Sequence, residues 1–279
     1  MQDIIAVVFD FDDTLAPDST SSFLENYGLN VKSFWTDEVQ PLLTSGWDPV
    51  PAYLYKMLEK SNIKQPITRQ LFKKWGRQIS PYNGATLIFR RLIQHIKSVN
   101  PKVSIEFYLI SSGIGEILRS TNLAKHFLDI WACDFFYDKG GKIVFPKNIV
   151  SFTDKTRYLF QIAKGFTGVE YKGKPFEVNK KINNENLRIP FNQMVYVGDG
   201  YTDIPCFSLI RKSGGIAIGV FDKLNKEKWG RAWGFIENDR VSNLAPADYG
   251  KNLSLSISLM MAVENIAERI MLHNKTYQG

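Results

Sequence analysis

The chain has 279 residues, 44% of them apolar, which is enough to bury one large core with or without a smaller attached domain. Disorder, repeat solenoids and disulfide-stapled scaffolds are excluded by that composition and by the two cysteines, Cys133 and Cys206, which lie in apolar segments as expected of a reducing, cytoplasmic compartment. The formal charge of +7 is scattered rather than grouped with aromatic residues, so it reads as solubility and steering of anionic substrates, with nucleic acid disfavoured.

Residues 4–9, an unbroken apolar run with no basic leader, read as a buried strand rather than a secretory segment. Residues 17–82 then show only helical periodicity, at Phe34, Trp35, Val39, Leu42 and Leu43, at Tyr53, Leu54, Met57 and Leu58, and at Leu71, Phe72, Trp75 and Ile79. This stretch is expected to be an inserted helical cap, whose aromatics are mainly its own core, with Trp47 in a Ser-Gly-Trp-Asp-Pro turn as a candidate pocket residue. Strands are then expected at 103–110, 129–136, 193–197 and 215–219, and helices near 84–98, 114–125, 154–164, 202–212 and 253–272. Residues 165–190, rich in charges of both signs, read as a solvated loop or small hairpin on the edge away from the strands' carboxyl ends.

The last helix carries Leu255, Leu259, Val263, Ile266 and Ile270 at helical spacing, interrupted by Glu264, Glu268 and Arg269, so it docks on a core and does not span a membrane. Strands alternating with helices make this an α/β chain built on a parallel sheet, with residues 1–16 and 83–279 as the core and 17–82 as the cap.

Carboxylates stand at the ends of two of these strands. Asp10 and Asp12 follow the first, in Asp10-Phe11-Asp12-Asp13-Thr14-Leu15, and Asp199 and Asp203 follow a later one, in Gly198-Asp199-Gly200-Tyr201-Thr202-Asp203. Such crowding is costly unless a hard divalent cation or a proton relieves it. Ser111, followed by Ser112 and Gly113, ends another apolar run where a hydroxyl and backbone N–H groups suit an anion, and Lys155 stands where a helix starts, a poor place for a cation without an anionic partner. Taken singly, the carboxylate and serine segments also fit a turn or a helix cap, and Lys155 a solvated lysine.

In order and spacing, the four segments resemble the haloacid dehalogenase (HAD) superfamily of aspartate-nucleophile phosphatases. Asp10, Asp12, Thr14 and Leu15 match its first motif, Ser111 its second, Lys155 its third, and Gly198, Asp199 and Asp203 its fourth. The resemblance implies a Rossmann-like core with a helical cap of the phosphoserine-phosphatase-like type, closing over the site. It implies Asp10 as nucleophile, Asp12 as acid and base, and Ser111 and Lys155 on the phosphate, with backbone N–H groups around Phe11, Ser112 and Gly113.

It further implies Mg2+ on the Asp10 carboxylate, the Asp12 carbonyl and Asp199, with Asp203 and Thr14 in support. A carboxylate at Asp12 separates phosphatases from dehalogenases in that superfamily. The substrate implied is a small phosphorylated metabolite. A glutamate that helps phosphoserine phosphatases bind their amino acid is replaced here by Ser19 with Asp18 beside it, so phosphoserine is not carried over, and the aromatic cap suggests a larger organic group. A phosphomutase or phosphotransferase would use the same residues, and a non-catalytic nucleic-acid or partner-binding module is the reading from charge alone.

Overall fold

The computed structural model of the protein describes residues 3–222 and 226–276. Strand β1 (Ile4–Phe9) leads into helices α1 (Ser19–Asn26), α2 (Val31–Ser33), α3 (Gln40–Thr44), α4 (Pro49–Ile63) and α5 (Arg69–Gly76). Between α2 and α3 the backbone widens into π-helical turns over Phe34–Val39. Next come α6 (Ala85–Val99), β2 (Ser104–Ile114), α7 (Gly115–Leu118), β3 (Asp129–Tyr137), β4 (Ile143–Asn148) and α8 (Asp154–Lys164). The chain continues through β5 (Met194–Gly198), α9 (Ile204–Lys212), β6 (Ile216–Phe221), α10 (Lys226–Glu237), β7 (Asn243–Pro246) and α11 (Ser254–Thr276).

The strands form one sheet in the order β4-β3-β2-β1-β5-β6-β7, parallel except for β4. β1 sits in the middle because it is apolar on both faces. Ile5, Val7 and Phe9 face a layer with α6 and α11, while Ala6 and Val8 face the layer that holds α8, α9 and the helices of residues 19–76. Leu255, Leu259, Val263, Ile266 and Ile270 are all buried, as their spacing requires. Among the described residues no helix is long and apolar enough to cross a membrane, and Cys133 and Cys206 are buried free thiols.

Four elements depart from what the sequence predicts. β4 and β7 were not expected: β4 contains Pro146 and leaves Val144 and Phe145 exposed, and β7 has only 4 residues, so neither shows a period. The helix expected over 114–125 stops at Leu118, where the Ser120 hydroxyl donates to the Glu116 carbonyl (2.7 Å) and Thr121 to the Leu118 carbonyl (2.8 Å), offering the backbone an alternative to the helical ladder. Helix α10 went unread altogether.

The 165–190 segment is no hairpin in the described structure. It is a chain of single 3-10 turns, pinned by Lys164 Nζ on the carbonyls of Val178 and Lys180, both at 2.7 Å. Its far end is held by Arg188, which reaches both carboxylate oxygens of Glu106 at 2.6 and 2.5 Å. Burial pushes the Glu106 carboxyl up, but the Arg188 and Tyr108 hydrogen bonds and the Arg188 charge outweigh it and hold the group below the ordinary glutamate range. A depressed carboxylate stabilises the fold above its unfolded pKa and loses that contribution as pH falls through the folded value. Glu106→Gln is therefore expected to lower the melting temperature at neutral pH, with the gap to the wild type closing as pH drops below about 4.

The helices of residues 19–76 share their core with the sheet. Phe72 of α5 lies 4.8 Å from Phe23 of α1 and 6.0 Å from Phe135 of β3, ring centre to ring centre. The β3–β4 turn completes the join: Arg69 N–H donates to the Gly141 carbonyl (2.8 Å) and Ile143 N–H to the Ile67 carbonyl (3.0 Å).

Candidate active site

In-register pairing of β1 with β2 and β5 places Phe9 beside both Leu109 and Val197, so the residues after each strand meet at one edge. Asp10 leaves β1 there, its N–H bound to the Val197 carbonyl at 2.9 Å. The chain then folds tightly around the Phe11 carbonyl, which accepts from the N–H groups of Thr14, Leu15 and Ala16, with Asp13 in the left-handed region at φ 54°. Thr14 supports this loop rather than facing the cavity: it is fully buried and its carbonyl accepts from the Tyr249 hydroxyl at 2.9 Å.

Lys155, in the first turn of α8, is completely buried, with Nζ 2.7 Å from Asp203 Oδ1 and 3.2 Å from Asp10 Oδ1. The anionic partner that its position demanded is thus a pair of carboxylates. Burial pulls the Lys155 pKa down, but the charges of Asp10 and Asp203 outweigh this and raise it, so the ammonium stays charged. Asp203 is fully committed. Its Oδ1 also accepts from the Tyr196 hydroxyl at 2.7 Å, and its Oδ2 accepts from Gly200 N–H at 3.0 Å. Gly198 makes room for it, since a Cβ there would come within 2.5 Å of the Asp203 carboxylate.

Burial pushes the Asp10 carboxyl up, Lys155 pulls it down and Asp203 pushes it up again, leaving it at about 7. Burial and then the charge of Asp18 push Asp12 well above the ordinary range, against the Ser19 N–H that donates to Asp12 Oδ1 at 2.7 Å. Oxygens of Asp10, Asp199 and Asp203 all lie within 4.8 Å of one another. An all-oxygen donor set around a carboxylate that burial discourages from ionising fits magnesium. With Asp203 occupied by Lys155 and Tyr196, Asp10 and Asp199 are the carboxylates that would touch such an ion.

Ser111 is reached differently from expected. β2 runs on past it to Ile114, so Ser112 and Gly113 belong to extended chain rather than to a helix start, and Gly113 N–H donates to Ser111 Oγ at 3.0 Å. Gly113 also clears space for Asp12, because a Cβ there would lie 2.6 Å from Asp12 Oδ2. Gly113→Ala is therefore expected to displace Asp12 and cut turnover by roughly 10²-fold, read as kcat on any accepted substrate, with the fold retained by circular dichroism.

These groups open onto a cavity of about 180 Å³ lined by Asp10, Asp12, Ser111, Ser112, Gly113 and Asp199 together with Asp18, Thr20, Trp35 and Tyr53. Trp47 does not line it. That ring is 41% exposed and packs 5.2 Å from Tyr55. Trp35 and Tyr53 were read as bundle core, since helical spacing alone cannot separate an aromatic facing a core from one facing a cavity. Tyr196 had no signal either, being one apolar position among others in a buried strand.

No family model matches the chain. It is 26% identical over 284 residues to an uncharacterized protein of Borreliella burgdorferi, covering 91% of this chain and 94% of that one. Among solved structures it is similar to a probable phosphoserine phosphatase of Vibrio cholerae (TM-score 0.57, 11% identity, 95% of this chain and 66% of the other). It is likewise similar to a HAD-family hydrolase of Salmonella enterica serovar Typhi (TM-score 0.55, 12% identity, 94% and 71%). A phosphoserine phosphohydrolase-like protein of Francisella tularensis matches with TM-score 0.51 and 17% identity over 92% of this chain and 98% of the other. Together with the mostly parallel sheet flanked by helices, these likenesses give the chain the α/β fold of the HAD-family hydrolases.

Proposed function

We propose that the protein is a magnesium-dependent phosphomonoester hydrolase that acts on a small phosphorylated metabolite through an aspartyl-phosphate on Asp10. The observation that carries this reading is the Asp10 carboxylate lining a cavity, 3.2 Å from the buried Lys155 ammonium and grouped with Asp199 and Asp203.

An Asp10 oxygen attacks phosphorus in line, the P–O bond to the alcohol breaks, and its electron pair passes to the leaving oxygen. Asp12 supplies the proton that this oxygen takes up. Its raised pKa suits it to hold a proton at neutral pH, and once ionised it takes a proton from water. That water's oxygen bonds to phosphorus, the acyl-phosphate bond breaks, and inorganic phosphate leaves with Asp10 restored. Ser111 and the backbone N–H groups of Phe11 and Ser112 are assigned to the phosphoryl oxygens, and Lys155 holds the charge of Asp10 in line while tied to Asp203. Magnesium, held by the Asp10 and Asp199 carboxylates and the Asp12 carbonyl, would keep Asp10 ionised and offset charge on the phosphoryl group.

The test is release of inorganic phosphate from an aryl phosphate. Activity is expected with magnesium and is lost on adding EDTA. Magnesium at about ten times its Kd should also stabilise the protein by roughly 1.4 kcal/mol, seen as a rise in melting temperature. Absence of phosphate release from a broad panel of phosphomonoesters with magnesium present would sink the proposal.

A further inference from the structure

We infer that the alcohol portion of the substrate carries an ammonium group and no carboxylate, making it a phosphorylated amino alcohol for which choline phosphate is the matching probe. The inference rests on the hydrolase reading above and comes from the aromatic and acidic residues that line the cavity beside the phosphate site.

At about 180 Å³ the cavity lies below the usual range of ligand pockets, so the group beside the phosphate is small. Trp35 and Tyr53 line the cavity together, their ring centres 5.7 Å apart with planes inclined at 65° in an edge-to-face pair. Both polar tips are already used. Trp35 Nε1 donates to Ser21 Oγ at 3.0 Å, and the Tyr53 hydroxyl donates to the Ser112 carbonyl. What these rings offer a ligand is therefore their π surface, which attracts cations and gives a carboxylate or polyol no hydrogen bond.

Beside them stands the Asp18 carboxylate, fixed by Thr20 N–H (2.9 Å) and Ser21 N–H (2.8 Å) on Oδ1 and by the Ser21 hydroxyl (2.6 Å) on Oδ2. Ser21 thus ties the indole and the carboxylate into one unit. The π-helical turns over Phe34–Val39, a local geometry that recurs at functional sites, carry Trp35 to this position. Among the described residues no lysine, arginine or histidine lines the cavity. A carboxylate on the leaving group, as in phosphoserine, would meet Asp18 with no cation between them. An ammonium is drawn by the rings and by Asp18 alike.

The experiment compares kcat/KM for choline phosphate, ethanolamine phosphate, phosphoserine and 3,3-dimethylbutyl phosphate, the uncharged isostere of choline phosphate. Choline phosphate is expected to exceed both the isostere and phosphoserine at least about tenfold, and Trp35→Leu and Asp18→Asn should each lower the choline-to-isostere ratio by about tenfold. Asparagine is as good an N-cap as aspartate, so Asp18→Asn retains α1 if Trp35→Leu fails to fold.

Turnover of an aryl phosphate with a choline-to-isostere ratio near one, or a ratio unmoved by Asp18→Asn, would overturn the inference and leave the hydrolase reading standing. If no ester is turned over, the hydrolase reading falls, and calorimetry of the Asp10→Asn chain decides the ligand separately. Tighter binding of choline phosphate than of the isostere upholds the ammonium subsite, and equal binding overturns it.

Discussion

On the proposed mechanism, Asp10→Asn is expected to abolish phosphate release, lowering kcat by roughly 10⁴-fold or more, because an amide would not form the covalent intermediate proposed for both half-reactions. The variant should still fold. Asparagine keeps the shape of the side chain and removes a charge that burial already resists, as the rise of the Asp10 carboxyl to about 7 records. In metal-free buffer near neutral pH its melting temperature is expected at or above that of the wild type, and adding magnesium should shift the balance in the wild type's favour. Scanning calorimetry with and without the ion, alongside the phosphate assay, checks both halves. Undiminished turnover in the variant would remove Asp10 from the chemistry.

The second large effect is expected at Lys155. Lys155→Met keeps the aliphatic stem in a fully buried slot but leaves Asp10 and Asp203 facing each other without their common cation. Breaking a buried ion pair from one side costs about 3–5 kcal/mol, and urea denaturation in metal-free buffer should show a loss of that size. Combining it with Asp203→Asn is expected to recover part of that stability but none of the turnover, a non-additivity that a double-mutant cycle measures. Losses that simply add would mean that the two side chains do not act as a unit.

The candidate site was legible to the extent that backbone pattern and charge carry it. Asp10 and Asp12 end a run of residues apolar on both faces, and Asp199 and Asp203 follow Gly198, which the close approach of the Asp203 carboxylate requires; such segments are readable because few other structures tolerate them. Lys155 could be suspected from its clash with the helix dipole, and its partner Asp203 from spacing, although the contact spans 48 positions. Ser111 was located, but its setting was not, because an extended strand and a helix start look alike over three small residues. Trp35, Tyr53 and Trp47 show the limit most clearly. All three are aromatics on helical stretches or at their ends, and only packing decides that two of them face the cavity while the third stacks on Tyr55 at the surface. The same holds for β4, whose pairing with β3 is visible only once the helices of residues 49–76 rest against it.

The aromatic run from Phe23 through Phe72 to Phe135, with the backbone bonds from Arg69 to Gly141 and from Ile143 to Ile67, has a bearing on modular engineering. A segment cut at the apparent boundaries and exchanged with that of another protein would arrive without the hairpin on which its last helix leans. It would also leave one face of β3 bare of the rings that cover it. A transplant that respects the packing must carry residues 129–148 along with residues 17–82, two stretches far apart in the chain that behave as one graft.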